Sequence, residues 1–181
     1  MKSILTTVLL FGLIACSETQ KDNNETKSNE IEYSNYDAKE YNLKISYPKG
    51  WDTMNINKRM IFTILEHKTS KKDTFNENII LYKTQLPNFL TLDSVLNLAT
   101  SAIYQQYGKV NIIDKKITKN SMNKEYATFT MIITQNGNDI VSSTYYFPVA
   151  NDFYVLDFGY NNKDSVKYKP IRQKVVNSLS Y

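Results

Sequence analysis

Cysteine and histidine each occur once in this 181-residue chain, as Cys16 and His67. A single cysteine cannot form a disulfide within the chain. Its position near the start leaves the rest without a thiol nucleophile or a cysteine-based zinc site. Any histidine-dependent mechanism would have to use His67. Because neither a GxSxG nor an HExxH sequence is present, we interpret His67 as an exposed loop residue and predict that the protein is not an enzyme.

Glycine and proline are also scarce, with five and four copies. A chain with so few glycines has no glycine-rich phosphate-binding loop. Its carboxylates are scattered, so we predict neither a metal site nor a cofactor. The net charge is only +4. We therefore interpret the small basic cluster of Lys68, Lys71 and Lys72 as a solvated loop rather than a nucleic-acid-binding surface.

Long apolar runs are absent except at the start of the chain. Residues 4–15 follow Lys2 and are almost wholly apolar, which is typical of a secretory signal peptide. The run is shorter than the roughly 20 residues of a membrane-spanning helix. It ends in the sequence LIAC at residues 13–16, which resembles the bacterial lipobox. That resemblance implies that residues 1–15 are removed and that Cys16 carries acyl chains, such as palmitate, that enter the lipid bilayer.

The segment after the predicted lipidation site is polar. Between residues 17 and 35, five acidic side chains accompany two basic ones, and few apolar side chains are available to bury. We therefore expect residues 16–37 to form the lipidated cysteine and a disordered tether, and residues 38–181 to form one globular domain. Ser17 after the cysteine resembles the sorting signal of outer-membrane lipoproteins. The sequence thus predicts an exported, membrane-anchored envelope lipoprotein, with the outer membrane or cell surface favoured.

The first half of the domain contains three strand patterns and one helix pattern. Apolar and polar residues alternate over 41–47, and residues 59–66 and 77–84 are predicted as further strands. The apolar spacing then becomes helical from Leu92 to Ile103, with Thr91 as the N-cap and Gly108 at the end. Trp51 follows a Pro-Lys-Gly turn, and we interpret it as a core anchor rather than a ligand platform.

The second half returns to strands and closes with a helix. The predicted strands cover residues 110–118, 127–134, 140–147 and 153–159, with Asn136-Gly137 as a hairpin turn. Pro170 suits the first position of a closing helix, whose apolar stripe contains Ile171, Val175 and Leu179. The fold class predicted from this order is α+β, a mostly antiparallel sheet flanked by helices.

The order of elements resembles that of PsbP-like domains. The resemblance rests on YNLKISYPKGW from residue 41, the TLDSVLNLAT helix, the long hairpin, and the YKP sequence at residues 168–170. It implies an α/β/α sandwich over nearly the whole domain. This superfamily includes an extrinsic photosystem II subunit, many bacterial envelope lipoproteins and a Ran-binding import factor. It therefore implies partner binding rather than catalysis. The photosystem subunit's binding histidine has no counterpart here.

Tyrosines are concentrated in and beside the late strands. Tyr145, Tyr146, Tyr154 and Tyr160 lie there, and alternation places Tyr145 and Tyr146 on opposite faces of the sheet. One set should fill the core. The other should be covered by a helix or form an exposed aromatic binding surface. Asp157 interrupts an apolar strand, and we expect it to face solvent, the alternative being a ligand contact in a cleft.

Three functions remain open from the sequence. The leading one is a non-catalytic envelope lipoprotein that binds a protein partner or assists assembly. The alternatives are a carrier for a small apolar or glycan ligand and a hydrolase that uses a pair of carboxylates. An exposed aromatic patch would favour the first function. A pocket with converging polar groups would favour the carrier, and paired desolvated carboxylates would favour the hydrolase.

Overall fold

A computed structural model of the protein describes residues 31–54, 60–68, 75–85, 90–108 and 110–181. The predicted signal peptide, Cys16 and the predicted tether as far as residue 30 lie outside the described residues. Lys71 and Lys72 of the predicted basic loop do so as well. Lys68, the remaining member of that cluster, is exposed to solvent.

The described residues form nine strands, two α-helices and two short 3₁₀ turns. The strands are β1 (Tyr33–Ala38), β2 (Leu43–Pro48), β3 (Asp52–Met54), β4 (Met60–Leu65), β5 (Asn78–Gln85), β6 (Asn111–Lys119), β7 (Glu125–Gln135), β8 (Asn138–Val149) and β9 (Asp152–Asn161). The helices are α1 (Leu92–Tyr107) and α2 (Ser165–Ser178), and the 3₁₀ turns are Lys39–Tyr41 and Asn162–Asp164.

Two antiparallel sheets are built from these strands. β1 and β2 form a hairpin, and the other strands form a seven-stranded sheet in the order β3-β4-β5-β9-β8-β7-β6. All neighbours in the large sheet are antiparallel. The predicted α+β class is confirmed, because this sheet is flanked by the two helices.

One face of the large sheet packs against α2 and the β1–β2 hairpin. Its core contains large side chains that are almost fully buried, including Phe62, Phe147 and Phe158 from the sheet and Val175 from α2. Burying such aromatic side chains is a major source of stability. We call this side of the sheet the α2 face.

The opposite side, which we call the α1 face, is partly covered by α1. The backbone of Ser94 donates to the Thr91 side chain at 3.2 Å, as expected for an N-cap. Gly108 ends the helix with a positive φ of 71°. α1 buries Val95 and Leu96 and contacts mainly β7, with smaller contacts to β6 and β8. It therefore lies over one half of the sheet rather than across its centre.

The hairpin turn between β7 and β8 is confirmed. Asn136 and Gly137 have φ values of 51° and 77°, and two consecutive positive values fit a type I′ turn, which matches the twist of the flanking strands. The paired strands begin at once on either side, with Gln135 opposite Asn138.

The domain begins earlier than the composition predicts. The expected tether extends to residue 37, but Tyr33–Ala38 forms β1, in register with β2 from Tyr33 opposite Pro48 onward. Tyr33 and Tyr36 pack against the α2-face core. Pairing with β2 and burial of two tyrosine rings therefore order a segment whose polar composition is typical of a linker.

The closing helix also differs from its prediction. Pro170 was expected at the first helical position, but α2 begins at Ser165 and contains Pro170 in its interior. Proline cannot donate to the carbonyl four residues earlier, which here belongs to Val166. Val166 is 91% exposed, so water can satisfy that carbonyl.

Candidate functional site

Four polar or aromatic side chains gather on the α1 face, near the centre of the large sheet. They are Tyr82 on β5, Asp157 on β9, and Thr144 and Tyr146 on β8. Thr144 is directly opposite Asp157, and Val155 lies between Tyr146 and Tyr82 in the neighbouring row. Because paired residues share a face, the register brings these side chains together. We call them the Asp157 cluster.

Asp157 is the acidic centre of the cluster. The Thr144 hydroxyl donates to its Oδ1 at 2.6 Å, and the Tyr82 hydroxyl interacts with the same carboxyl group. Asp157 is half-buried. Desolvation nevertheless raises the pKa of Asp157 to about 6, against the lowering effect of the two hydroxyls. The carboxylate is therefore mainly ionised at neutral pH, in a poorly hydrated environment.

The two tyrosines of the cluster stay neutral. Burial raises the pKa of Tyr82 and of Tyr146, and the negative charge of Asp157 raises both further. Each residue still has part of its surface exposed. The Tyr146 ring stacks on Phe129 with 6.4 Å between ring centroids. The tyrosines thus border the carboxylate with uncharged rings and hydroxyl groups.

Apolar side chains form a wall beside the cluster. Val95 of α1 and Phe153 and Val155 of β9 are buried together, and Leu90, Leu92, Tyr82 and Tyr146 pack against them. An apolar wall with a few converging polar groups is the usual composition of a small-molecule site. Leu90, Leu92, Tyr82 and Tyr146 keep part of their surface exposed, so this edge of the apolar cluster is open to solvent beside the carboxylate.

The structure places the predicted aromatic residues on two different faces. Tyr145, Tyr154 and Tyr160 point to the α2 face, where they are 6%, 3% and 1% exposed. They fill the core beneath α2 and the β1–β2 hairpin, so they cannot provide the exposed aromatic surface that was considered. Tyr146 lies on the opposite face with Asp157. The structure therefore brings together only two of the five predicted binding residues.

Asp157 was expected to face solvent, and in the structure it is half-buried. Its face of β9 is enclosed by Tyr82 and Thr144, which the sequence reasoning did not single out. Alternation along each strand assigned these residues to a face. It could not show which residues are opposite each other, because the order and register of the strands are not visible in the sequence.

His67 and Trp51, which the sequence also singled out, lie in different surroundings. His67 is exposed, and its Nδ1 lies 3.2 Å from Oδ2 of the exposed Asp52. Trp51 is buried, with its ring centroid 6.2 Å from that of Phe158 and 6.3 Å from that of Tyr168. The tryptophan is therefore a core anchor, as predicted.

The α2 face has a polar network of its own. Nη1 of Arg172 donates to the Ser143 hydroxyl at 2.5 Å, and the Thr130 and Ser143 hydroxyls lie 2.9 Å apart. The Arg172 guanidinium also lies over the Tyr160 ring, 6.0 Å from its centroid. These contacts connect α2 to the centre of the sheet.

The described part of the chain offers neither a cluster of metal ligands nor a helix suited to crossing a membrane. It contains no group of three or more histidine, cysteine, aspartate or glutamate side chains arranged to hold a metal ion. Among the same residues, no helix combines the length and apolarity needed to cross a membrane.

Solved structures resemble this chain over most of its length at low sequence identity. Cyanobacterial PsbP (CyanoP) from Synechocystis sp. PCC 6803 has a TM-score of 0.61 and 12% identity, covering 87% of this chain and 97% of CyanoP. The Ran-binding protein Mog1p from Saccharomyces cerevisiae has a TM-score of 0.60 and 8% identity, covering 83% and 96%.

LpqN, which is involved in cell envelope biogenesis of Mycobacterium tuberculosis, has a TM-score of 0.57 and 12% identity, covering 84% of this chain and 91% of LpqN. No family model and no curated protein sequence matches the chain. At such identities the likeness concerns the fold alone. The chain has a PsbP-like fold.

Proposed function

We propose that this protein is a membrane-anchored lipoprotein of the bacterial envelope whose PsbP-like domain binds a partner and does not catalyse a reaction. The observation that carries the binding role is the fold match over nearly the full length of two proteins, Mog1p and LpqN. Mog1p binds Ran, and LpqN is involved in envelope biogenesis. A shared fold is an argument by analogy, so the sites of this chain have to be tested directly.

The proposed anchor is Cys16. Lipid chains on this residue would hold the protein at a bilayer, and two or more acyl chains are needed for stable attachment. A flexible chain as long as residues 17–30 would span roughly 20 Å. That distance would keep the folded domain clear of the lipid headgroups.

Metabolic labelling tests the anchor. We expect labelled palmitate to appear on the wild-type protein and to be absent from Cys16→Ser, since serine lacks the thiol that is acylated. Ser17→Ala is the matched control and should remain labelled. Continued labelling of Cys16→Ser would contradict the lipoprotein proposal.

Cross-linking in intact envelopes tests the partner. Cells carrying the tagged wild-type protein are cross-linked, and the adducts are compared with those of Cys16→Ser expressed at equal abundance. We expect a discrete adduct with the anchored protein that weakens when the anchor is lost, because the anchor confines the domain to the partner's surroundings. An identical adduct pattern for both proteins would contradict the role of the anchor in partner binding.

The Asp157 cluster favours a second candidate function, carriage of a small ligand. An apolar wall and a partly exposed carboxylate with flanking hydroxyls suit binding. They suit hydrolysis less well, since a carboxylate-dependent hydrolase uses a second acid near the first. In the described residues, the side chains that hydrogen-bond Asp157 are the hydroxyls of Thr144 and Tyr82.

A further inference from the structure

We infer that the Asp157 cluster binds the protonated amino group of a small organic ligand. The inference rests on the carrier function proposed above and specifies its ligand class. The cluster combines one carboxylate, two tyrosine side chains and a threonine hydroxyl beside the partly exposed apolar side chains of Leu90 and Leu92.

The charge of Asp157 is the first argument. Within the described residues, none of the ion pairs includes this carboxylate. Lys83 of the adjacent strand β5 lies on the α2 face, where it pairs with Asp152 at 2.6 Å. Lys115 shares the row of Asp157 but lies three strands away on β6 and donates to Asn97 at 2.7 Å. A desolvated carboxylate without a cation is unfavourable. A ligand ammonium group would supply the missing positive charge.

Hydrogen bonding is the second argument. Thr144 donates its hydroxyl hydrogen to Asp157, and the Tyr82 hydroxyl also donates to this carboxylate. The cluster is left mainly with acceptors, namely carboxylate and hydroxyl lone pairs. A primary ammonium group has three N–H donors and no acceptor. It therefore fits this set better than an alcohol, which has one donor, or an anion, which the carboxylate would repel.

The tyrosine rings and the apolar wall are the third argument. Tyr82 and Tyr146 lie on the strands at either side of β9, opposite Val155 and so one row from Asp157 on the same face. Tyrosine rings attract cations through their π-electrons. Leu90 and Leu92, which pack against the buried cluster and keep part of their surface exposed, would contact an alkyl stem. The ligand class that fits all three features is a primary alkylamine.

Calorimetric titration of the full-length protein in nonionic detergent tests this inference. The probe is n-butylammonium chloride, compared with n-butanol at the same ionic strength. We expect the ammonium to bind at least about tenfold more tightly than the alcohol, because ionised hydrogen-bonding groups contribute more than neutral ones. Asp157→Asn should reduce ammonium affinity at least about tenfold, since it removes the charge and keeps the side-chain shape.

Asp139→Asn is the matched control. Asp139 also accepts a threonine hydroxyl, from Thr134 at 2.8 Å, but it is exposed near the β7–β8 turn. This variant should bind the ammonium like the wild type. Chemical-shift changes in the wild-type protein provide a readout that needs no mutation, and they should be centred on Thr144, Tyr146 and Asp157.

The outcomes separate the ligand class from the carrier function. Equal binding of n-butanol and n-butylammonium would overturn the amine inference and leave a carrier for neutral apolar ligands. Unchanged ammonium binding by Asp157→Asn, or shifts centred elsewhere, would also overturn it. Binding of neither probe by the wild-type protein would overturn the amine inference, while a glycan titration would still test the carrier function.

Discussion

The two faces of the large sheet are filled in different ways. On the α2 face, α2 and the β1–β2 hairpin cover a continuous aromatic core in which Phe158, Tyr160 and Leu156 are at most 1% exposed. On the α1 face, a helix covers only part of the sheet. The Asp157 cluster remains there, partly exposed and with an ionisable group at its centre.

This difference separates stability from binding. The α2 face contributes most of the buried apolar surface, so it has little freedom to change without unfolding the domain. The α1 face retains a desolvated carboxylate that costs stability. Local features that reduce stability are commonly retained at functional sites. Truncating a buried ring on the α2 face and removing the charge of Asp157 on the α1 face should therefore have opposite effects on the free energy of unfolding.

The largest expected effect is on the α2 face. Phe158→Ala should lower the free energy of unfolding by about 3–5 kcal/mol, because it removes a fully buried ring and leaves a cavity against Trp51 and Tyr160. Urea denaturation followed by circular dichroism measures the change. Tyr104→Ala is the control, since this tyrosine on α1 is 47% exposed, and it should cost less than about 1 kcal/mol. Similar losses for both variants would contradict the assignment of the main core to the α2 face.

The second effect, on the α1 face, should have the opposite sign at neutral pH. The pKa of Asp157 is raised to about 6 in the folded protein. The folded protein holds the proton of Asp157 more tightly than the unfolded chain, whose pKa is near 4. The stability gained from this protonation is fully present below pH 4 and is lost as the pH rises through about 6. Asp157→Asn removes this loss. We expect the variant to gain about 2 kcal/mol relative to wild type between pH 4 and pH 7.5.

Urea denaturation of both proteins across that pH range checks the prediction. The quantity compared is the difference between variant and wild type, so contributions from the other carboxylates cancel. Thr144→Val is a second test. It removes a hydrogen bond that lowers the pKa of Asp157, and its loss of stability should grow as the pH rises. A pH-independent difference for Asp157→Asn would contradict the desolvated environment of this carboxylate.

A smaller effect is expected at the start of α1. Thr91→Ala should cost about 1 kcal/mol, because the backbone N–H of Ser94 loses its side-chain acceptor. Thr91→Ser retains a hydroxyl at that position and should remain close to the wild type. Thermal unfolding measures both variants. If Thr91→Ala also weakens n-butylammonium binding, the start of α1 positions the apolar side chains beside the Asp157 cluster.

The smallest effect is expected on the exposed surface of the β1–β2 hairpin. Lys44 and Asp37 form an ion pair at 3.4 Å, with side chains 69% and 42% exposed. Such pairs contribute little, so Lys44→Ala should change the unfolding free energy by less than about 0.5 kcal/mol. The measurement is urea denaturation at low and high salt. A large, salt-dependent loss would show that the hairpin is held electrostatically rather than by its buried tyrosines.

The strands and α1 could be predicted because their signals are local. Alternation in 127–134 and helical spacing from Leu92 to Ile103 depend on neighbouring residues, and the Asn136-Gly137 turn depends on two. The β1 strand was missed because its stability comes from β2 and from the core under α2. Pro170 was misplaced because the exposure of Val166, which lets the helix continue across a proline, is a property of the folded surface.

The candidate site was only partly predictable for a related reason. Asp157 and Tyr146 stood out as polar or aromatic residues in late strands. Thr144 and Tyr82 carried no comparable signal, since threonine and tyrosine are ordinary strand residues. Their role follows from the strand order β5-β9-β8. The spacing of apolar and polar residues along the sequence does not specify the order of strands in the sheet.

The contact between β2 and the segment after α2 has a consequence for when the protein folds. Lys44 and Ser180 exchange two backbone hydrogen bonds of 2.9 Å, and Tyr181 packs edge-on against Phe147 and Tyr154. Besides β1, β2 therefore has a second partner that becomes available only after residues 165–181 have been synthesised. Contacts between such distant residues slow folding. The contacts of Tyr181 with the α2-face core can therefore form only when nearly all of the described chain has been made.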